Sequence, residues 1–172
     1  MTPFNPQQPF ILIGALLERE GRFLMLKENH DPDKGLWNIP SGKIELGESP
    51  LDCVKREVKE EAGLDFEPQQ IAMISSVVRH QSLHPQTTHI LRVIYTGKFS
   101  GQIDFAGNEI DSAGDREIAE SRWLTLDEIN SGQFPQRHPD VPEAIKRYNS
   151  GRLLPLDTLT HLEWVRQNGV VL

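Results

Sequence analysis

Hydrophobic residues come along this chain in short runs separated by polar turns, and the runs change period once the chain has passed its first quarter. Residues 10–17 (FILIGALL) and 22–27 (RFLMLK) read as two strands joined by a polar turn at 18–21. Residues 30–35 (HDPDKG) read as a loop, and 36–39 as a short strand leading into Pro40, Ser41 and Gly42. From 50 to 62 the apolar spacing is helical. Residues 71–78 and 89–99 are strand-like again, linked by the loop HQSLHPQTT, and the mixed alternation over 87–94 places the second of them near the centre of its sheet. A glycine-rich, acidic stretch at 101–114 reads as a mobile loop. Beyond it the pattern predicts a strand at 118–126, a helical turn at 126–131, a helix at 141–149 with Gly151 past its end, and one more helix within 156–167. Residues 1–9 (MTPFNPQQP) read as an extended arm or disordered lead, and 10–172 as a single domain without repeat or linker. Strands on both sides of a helix, with another helix late in the chain, predict an α/β (α+β) fold with a mixed sheet between helices.

The helix at 50–62 has clear punctuation. Ser49 suits the N-cap, Pro50 the first helical position and Asp52 the acid of a capping box, while Gly63 suits a left-handed stop. On a wheel with about 100° per residue, Glu57, Glu60 and Glu61 share an arc of about 100°. Leu51, Val54, Val58 and Ala62 make an apolar stripe beside them, and Lys55 and Lys59 point away. A solvated charged face is the plain explanation of such acids. Like charges at these spacings repel, however, and acids in the last turn oppose the helix dipole. A cation is therefore expected at this place.

Composition narrows the partners. The chain has 172 residues and a net charge of −7, which disfavours polymeric nucleic acid while leaving room for a small polyphosphate bridged by metal. Cys53 is the sole cysteine, so no intramolecular disulfide or cysteine-based zinc site forms, and its expected place is the core. No apolar run is long enough to span a membrane and no leader pattern opens the chain, so the expected location is cytoplasmic.

Gly42, Glu48, Arg56, Glu57, Val58, Glu60, Glu61, Gly63 and Leu64 match without exception the pattern G-x5-E-x7-R-E-U-x-E-E-x-G-U, where U is aliphatic. On these residues the chain resembles the Nudix hydrolases. The resemblance implies an α/β/α sandwich with a central mixed sheet. It also implies hydrolysis of a diphosphate linked to another group, assisted by Mg²⁺ or Mn²⁺, hard cations that suit carboxylate oxygens. It further implies Glu60 and Glu61 as principal metal ligands, Glu57 as ligand or general base, and the backbone carbonyl of Ser41, where most relatives have glycine, as another contact. Arg56 would hold a glutamate in its working rotamer and Glu48 would be another orienting or ligating carboxylate, an ordinary salt bridge being the alternative for both. Gly42 would let the backbone approach phosphate, unless it is a mere turn residue. Relatives often add an acid shortly before a Trp-containing strand; Glu117 is favoured here, with Asp115 and Glu120 competing.

Specificity is less marked. The proline, the tyrosine and the SQPWPxS array that distinguish several Nudix subgroups are absent, and His80, Gln81 and Ser82 stand where the first two would fall. Trp37-Asn38-x-Pro40-x-Gly42, Arg122-Trp123, Glu128-Ile129, Arg147-Tyr148-x-Ser150-Gly151 and Pro155-Leu156 resemble instead a bacterial phosphatase subgroup. That likeness implies release of phosphate from nucleoside di- or triphosphates or a similar pyrophosphate ester. Cleavage of nucleotide sugars is the alternative, and a non-catalytic nucleotide sensor a further one. Arg79, His80 and His84 are candidates to meet phosphate or base, and Trp37 and Phe134 to stack on a heterocycle. The N-terminal arm suggests a homodimer.

Overall fold

The structure is a computed structural model describing residues 9–80, 87–104, 117–162, 166–167 and 170–171. Its elements are β1 (Phe10–Leu16), β2 (Glu18–Arg19), β3 (Arg22–Glu28), β4 (Trp37–Asn38), β5 (Ser41–Lys43), α1 (Pro50–Ala62), β6 (Asp65–His80), β7 (Thr87–Ser100), β8 (Ile118–Leu124), α2 (Leu126–Asn130), α3 (Val141–Asn149), β9 (Leu154–Pro155), β10 (Arg166–Gln167) and β11 (Val170–Val171). A five-stranded sheet runs β5-β1-β7-β6-β9, with β1 and β7 parallel and the other neighbours antiparallel. β7 lies at its centre, as the mixed alternation predicts. A second sheet is built on β3, which pairs antiparallel with β2, β4 and β8.

Strand alternation sorts the core into two layers. Ile13, Ala15, Val93, Tyr95 and Ile71 pack with Val54, Val58 and Ala62 of α1. Leu16, Ile94 and Ala72 pack on the opposite side with Val141, Ala144 and Ile145 of α3. A mixed sheet therefore lies between helices. Burying each of these larger aliphatic side chains stabilises the fold by about 1.5–3 kcal/mol.

Four local expectations are corrected. Glu18–Arg19 is not turn but strand, and the reversal is made by Glu20 and Gly21, both at positive φ (54° and 76°). β1 departs to the five-stranded sheet instead of pairing with β3. Leu51 is exposed rather than part of the buried stripe, because none of residues 50–52 is buried and the first turn of α1 stands clear of the sheet. The helix expected within 156–167 is only a 3-10 turn at Leu156–Thr158. Among the described residues Leu159 and Leu162 have no apolar layer to cover them, and a short helix without tertiary packing does not hold. His84, Asp115 and the N-terminal arm up to residue 8 lie outside the described residues.

Candidate active site

The acids are placed by the local chemistry of α1. Ser49 Oγ accepts the Asp52 N–H at 3.1 Å, and Gly63, at φ 73°, returns its own N–H to Lys59 O. The apolar stripe then fixes the rotation of the helix, turning Glu57 and Glu61 inward until they are 8% and 6% exposed, while Glu60 is half-buried. All three line one cleft of about 660 Å³, together with Glu117, Arg56, Ser41 and Gly42.

Arg56 organises this wall. Its Nε and Nη2 donate to the two Glu48 oxygens at 2.8 and 3.0 Å, and Nη1 donates to Glu57 Oε1 at 2.7 Å and Glu60 Oε2 at 3.0 Å. Glu61 Oε2 accepts instead from the Ser41 amide at 2.8 Å. Behind that amide, Ser41 Oγ accepts from Asn38 Nδ2 at 2.9 Å and from the fully buried Arg92 at 3.4 Å. Arg92 also donates to Asn38 Oδ1 (2.9 Å) and Asp140 Oδ1 (2.8 Å), so the residue before α3 is tied to the loop that carries Glu61's partner.

Gly42 is no turn residue. It pairs with Ile13 within the sheet, and a Cβ there would stand 1.9 Å from Glu57 Oε1. Gly42→Ala should therefore displace the Glu57 carboxylate with little effect on the backbone. We expect activity to fall about tenfold to a hundredfold and the melting temperature to move by no more than about 3 °C. Comparing steady-state rates with thermal denaturation checks this.

Electrostatics mark the same residues. Burial pushes the Glu57 carboxyl up to about 7, Arg56 opposes that rise, and the charges of Glu60 and Glu117 add to it. Burial raises Glu61 well above the carboxylate range, Glu57 and Glu28 push it further, and the Ser41 amide offsets only part. The Arg56 hydrogen bond holds Glu48 low. Burial lifts the Cys53 thiol far above its ordinary value, so Cys53 is a packing residue and not a nucleophile.

A pH dependence follows. Glu57 binds its proton more tightly folded (about 7) than its ordinary value of 4.5, so its contribution to stability is complete below pH 4.5 and is lost as pH rises through 7. Glu61 acts in the same direction. Metal-free protein should lose up to about 3 kcal/mol between pH 5 and pH 8, measured by denaturant unfolding at each pH. A divalent cation at pH 8 should restore much of it.

As they stand, no three His, Cys, Asp or Glu side chains among the described residues enclose an ion, since Glu57 and Glu60 face the Arg56 guanidinium. The donor set nevertheless fits a hard divalent cation. Two buried carboxylates lie side by side with few donors, and Gly42 reserves space for one of them.

The remaining predicted residues divide. Glu117 lines the cleft; Glu120 pairs with Arg122 of β8 and Lys27 of β3 and does not. Arg79 lines it too, bound to Asp33. Trp37 does not reach the cleft: it is buried on the α3 side, edge-on to Phe134 with ring centroids 5.4 Å apart. Both rings serve packing, not stacking on a ligand. His80 ends β6, but its side chain lies outside the described ones.

Sequence reasoning missed Asp33, Arg92, Arg137, His138 and Asp140. An arginine inside the apolar run HILRVIY was a usable signal for Arg92, since a charge in a central strand needs a partner. Arg137 and His138 lie between α2 and α3, where no period marks them. Both line the cleft.

Fold and site together define a hydrolase that works on phosphorus-containing acid anhydrides. A profile of the Nudix domain matches residues 9–148, and the chain belongs to the Nudix family. It is 29% identical over 164 residues to phosphatase NudJ of Escherichia coli K12, covering 95% of this chain and 99% of that protein. A Nudix hydrolase from Nitrosomonas europaea superposes with a TM-score of 0.74 at 28% identity, covering 90% of this chain and 98% of the other. A MutT Nudix hydrolase from Burkholderia pseudomallei gives a TM-score of 0.63 at 26% identity, covering 81% and 98%. Among the described residues no helix is long and apolar enough to cross a membrane, which says nothing of a β-barrel.

Proposed function

We propose that this chain is a Mg²⁺- or Mn²⁺-dependent phosphatase or pyrophosphatase acting on nucleoside di- or triphosphates or a related small pyrophosphate ester. The observation that carries the reading is the pair of buried, mutually repelling carboxylates, Glu57 and Glu61, opening on a cleft that also holds arginines. The name of the E. coli relative, a phosphatase, supports the substrate class.

Glu60 and Glu61 would hold the cation, with the Ser41 carbonyl and Glu117 beside them, and Glu57 would serve as a further ligand or as the general base. When bound, the cation neutralises charge on the diphosphate and acidifies a water. Arg56 fixes the Glu57 and Glu60 rotamers, and Glu48 locks Arg56 by two hydrogen bonds. As the base, Glu57 would take the proton of the attacking water on Oε2, the oxygen that Arg56 does not hold. Ser41 and Gly42 bring backbone close to the phosphates.

A phosphate-release assay over nucleotides, nucleotide sugars and small pyrophosphate esters, with Mg²⁺ and beside Glu60→Gln, tests this. Orthophosphate or pyrophosphate from the wild type, lost in the variant, is expected. A sugar phosphate with a nucleoside monophosphate would move the substrate to nucleotide sugars, and no metal-dependent turnover in either protein would favour a nucleotide sensor. The cytoplasm is the expected compartment, and sedimentation as a monomer would end the homodimer reading.

A further inference from the structure

The cleft holds a second set of side chains with no part in the steps above. Arg79 from β6 and Arg137 from the segment between α2 and α3 converge on the buried carboxylate of Asp33. Arg137 Nη1 also donates to Glu28 Oε1 at 2.7 Å. Its Nε stands 2.9 Å from Asp33 Oδ2 but is poorly aligned for a hydrogen bond. The segment is pinned to β4, because Trp37 N donates to Pro135 O and Arg137 N to Trp37 O, each at 2.8 Å. Trp37 thus serves the cleft indirectly, by setting the backbone that carries Arg137.

Beside Arg137 lies His138, 3% exposed, with Nε2 lacking a partner among the described residues. A buried polar nitrogen without a partner is costly unless a ligand supplies one. The four charges of Arg79, Arg137, Asp33 and Glu28 cancel, so this is not a net basic patch. It is a set of directed donors, with each guanidinium held in place by a carboxylate. Burial, with Arg92, Arg137 and Arg79 nearby, presses the His138 pKa down to about 3, and Asp140 opposes that shift. The ring is therefore neutral at physiological pH.

Resting on the diphosphate-hydrolase reading, we propose that Arg79, Arg137 and His138 form a subsite for the terminal, unesterified phosphoryl group of the substrate. A free terminal phosphate offers three equatorial oxygens and a second negative charge to these donors. A phosphate capped by a sugar or a second nucleoside loses one oxygen and one charge. The subsite thus selects compounds that end in a free phosphate over capped diphosphates.

Calorimetric titration of inorganic phosphate into metal-free protein, with chelator present, reads the subsite without turnover. The expected result is measurable binding by the wild type, weakened about tenfold or more by Arg79→Gln and by His138→Asn, and not weakened by Glu60→Gln. Both variants retain Arg137 to pair with Asp33, and circular dichroism verifies their fold. With metal, Arg79→Gln should raise KM for a substrate with a free terminal phosphate about tenfold and change kcat less than twofold. Absence of phosphate binding by the wild type, or equal affinity in the folded variants, overturns the subsite. Phosphate binding that behaves as expected in a protein that hydrolyses no diphosphate overturns the reaction instead.

Discussion

Exchanging Glu61 for glutamine should lower kcat/KM for the phosphate-releasing reaction by at least about a hundredfold, while leaving the metal-free protein as stable as the wild type or more so at pH 8. The two halves of that result have one cause. Glu61 is buried beside Glu57 and near Glu28, it accepts the Ser41 amide, and burial together with the charges of Glu57 and Glu28 pushes it toward its neutral form. Glutamine keeps the size and still accepts from Ser41 through its amide oxygen, so packing persists and the repulsion goes. What it removes is the negative charge that a cation would meet. Rates over a Mg²⁺ series, with thermal denaturation in chelator, separate the halves. A large loss of stability in the metal-free variant would assign Glu61 a structural role.

Arg92→Met should be the most destabilising of the substitutions considered, by about 3–5 kcal/mol, or about 10 °C in melting temperature. Arg92 is wholly buried, and its removal strands Asp140 without a cation while also releasing Asn38 and Ser41. Combining it with Asp140→Asn should return part of the loss, because the stranded charge is gone. Activity should not return with it, since the Arg92 hydrogen bonds to Asn38 and Ser41 are still missing. Denaturant unfolding of both singles and the double variant gives the coupling; additive losses would mean that the two side chains act separately.

How far the sequence reached depended on the range of the interactions. The bounds of α1 and its acidic arc were legible because its caps and periodicity are local, and so was the Arg56 fork, whose carboxylate partners lie within eight residues. β7 was legible as central because its side chains are apolar toward both layers. The Arg92 network was not: its partners lie 48 and 54 residues away. Nor was the Arg137–Glu28 pair, which spans 109 residues. Trp37 shows a different limit. Its aromatic chemistry suited either a stacking ring or a core ring, and only the pairing of β4 with β3 decides which side it takes. Leu51 was misplaced because helical period says which residues share a stripe and not where the covering sheet ends.

The central claim is that the acids of α1 are held in wait for a divalent cation. Titrating Mn²⁺ calorimetrically into metal-free protein at pH 7, in two buffers of different ionisation enthalpy, tests it most directly. With Glu57 near 7 and Glu61 also raised by burial, binding should release protons, and Glu61→Gln should weaken it by at least about tenfold. Mn²⁺ that binds the variant as tightly as the wild type, with no proton released, would contradict the account.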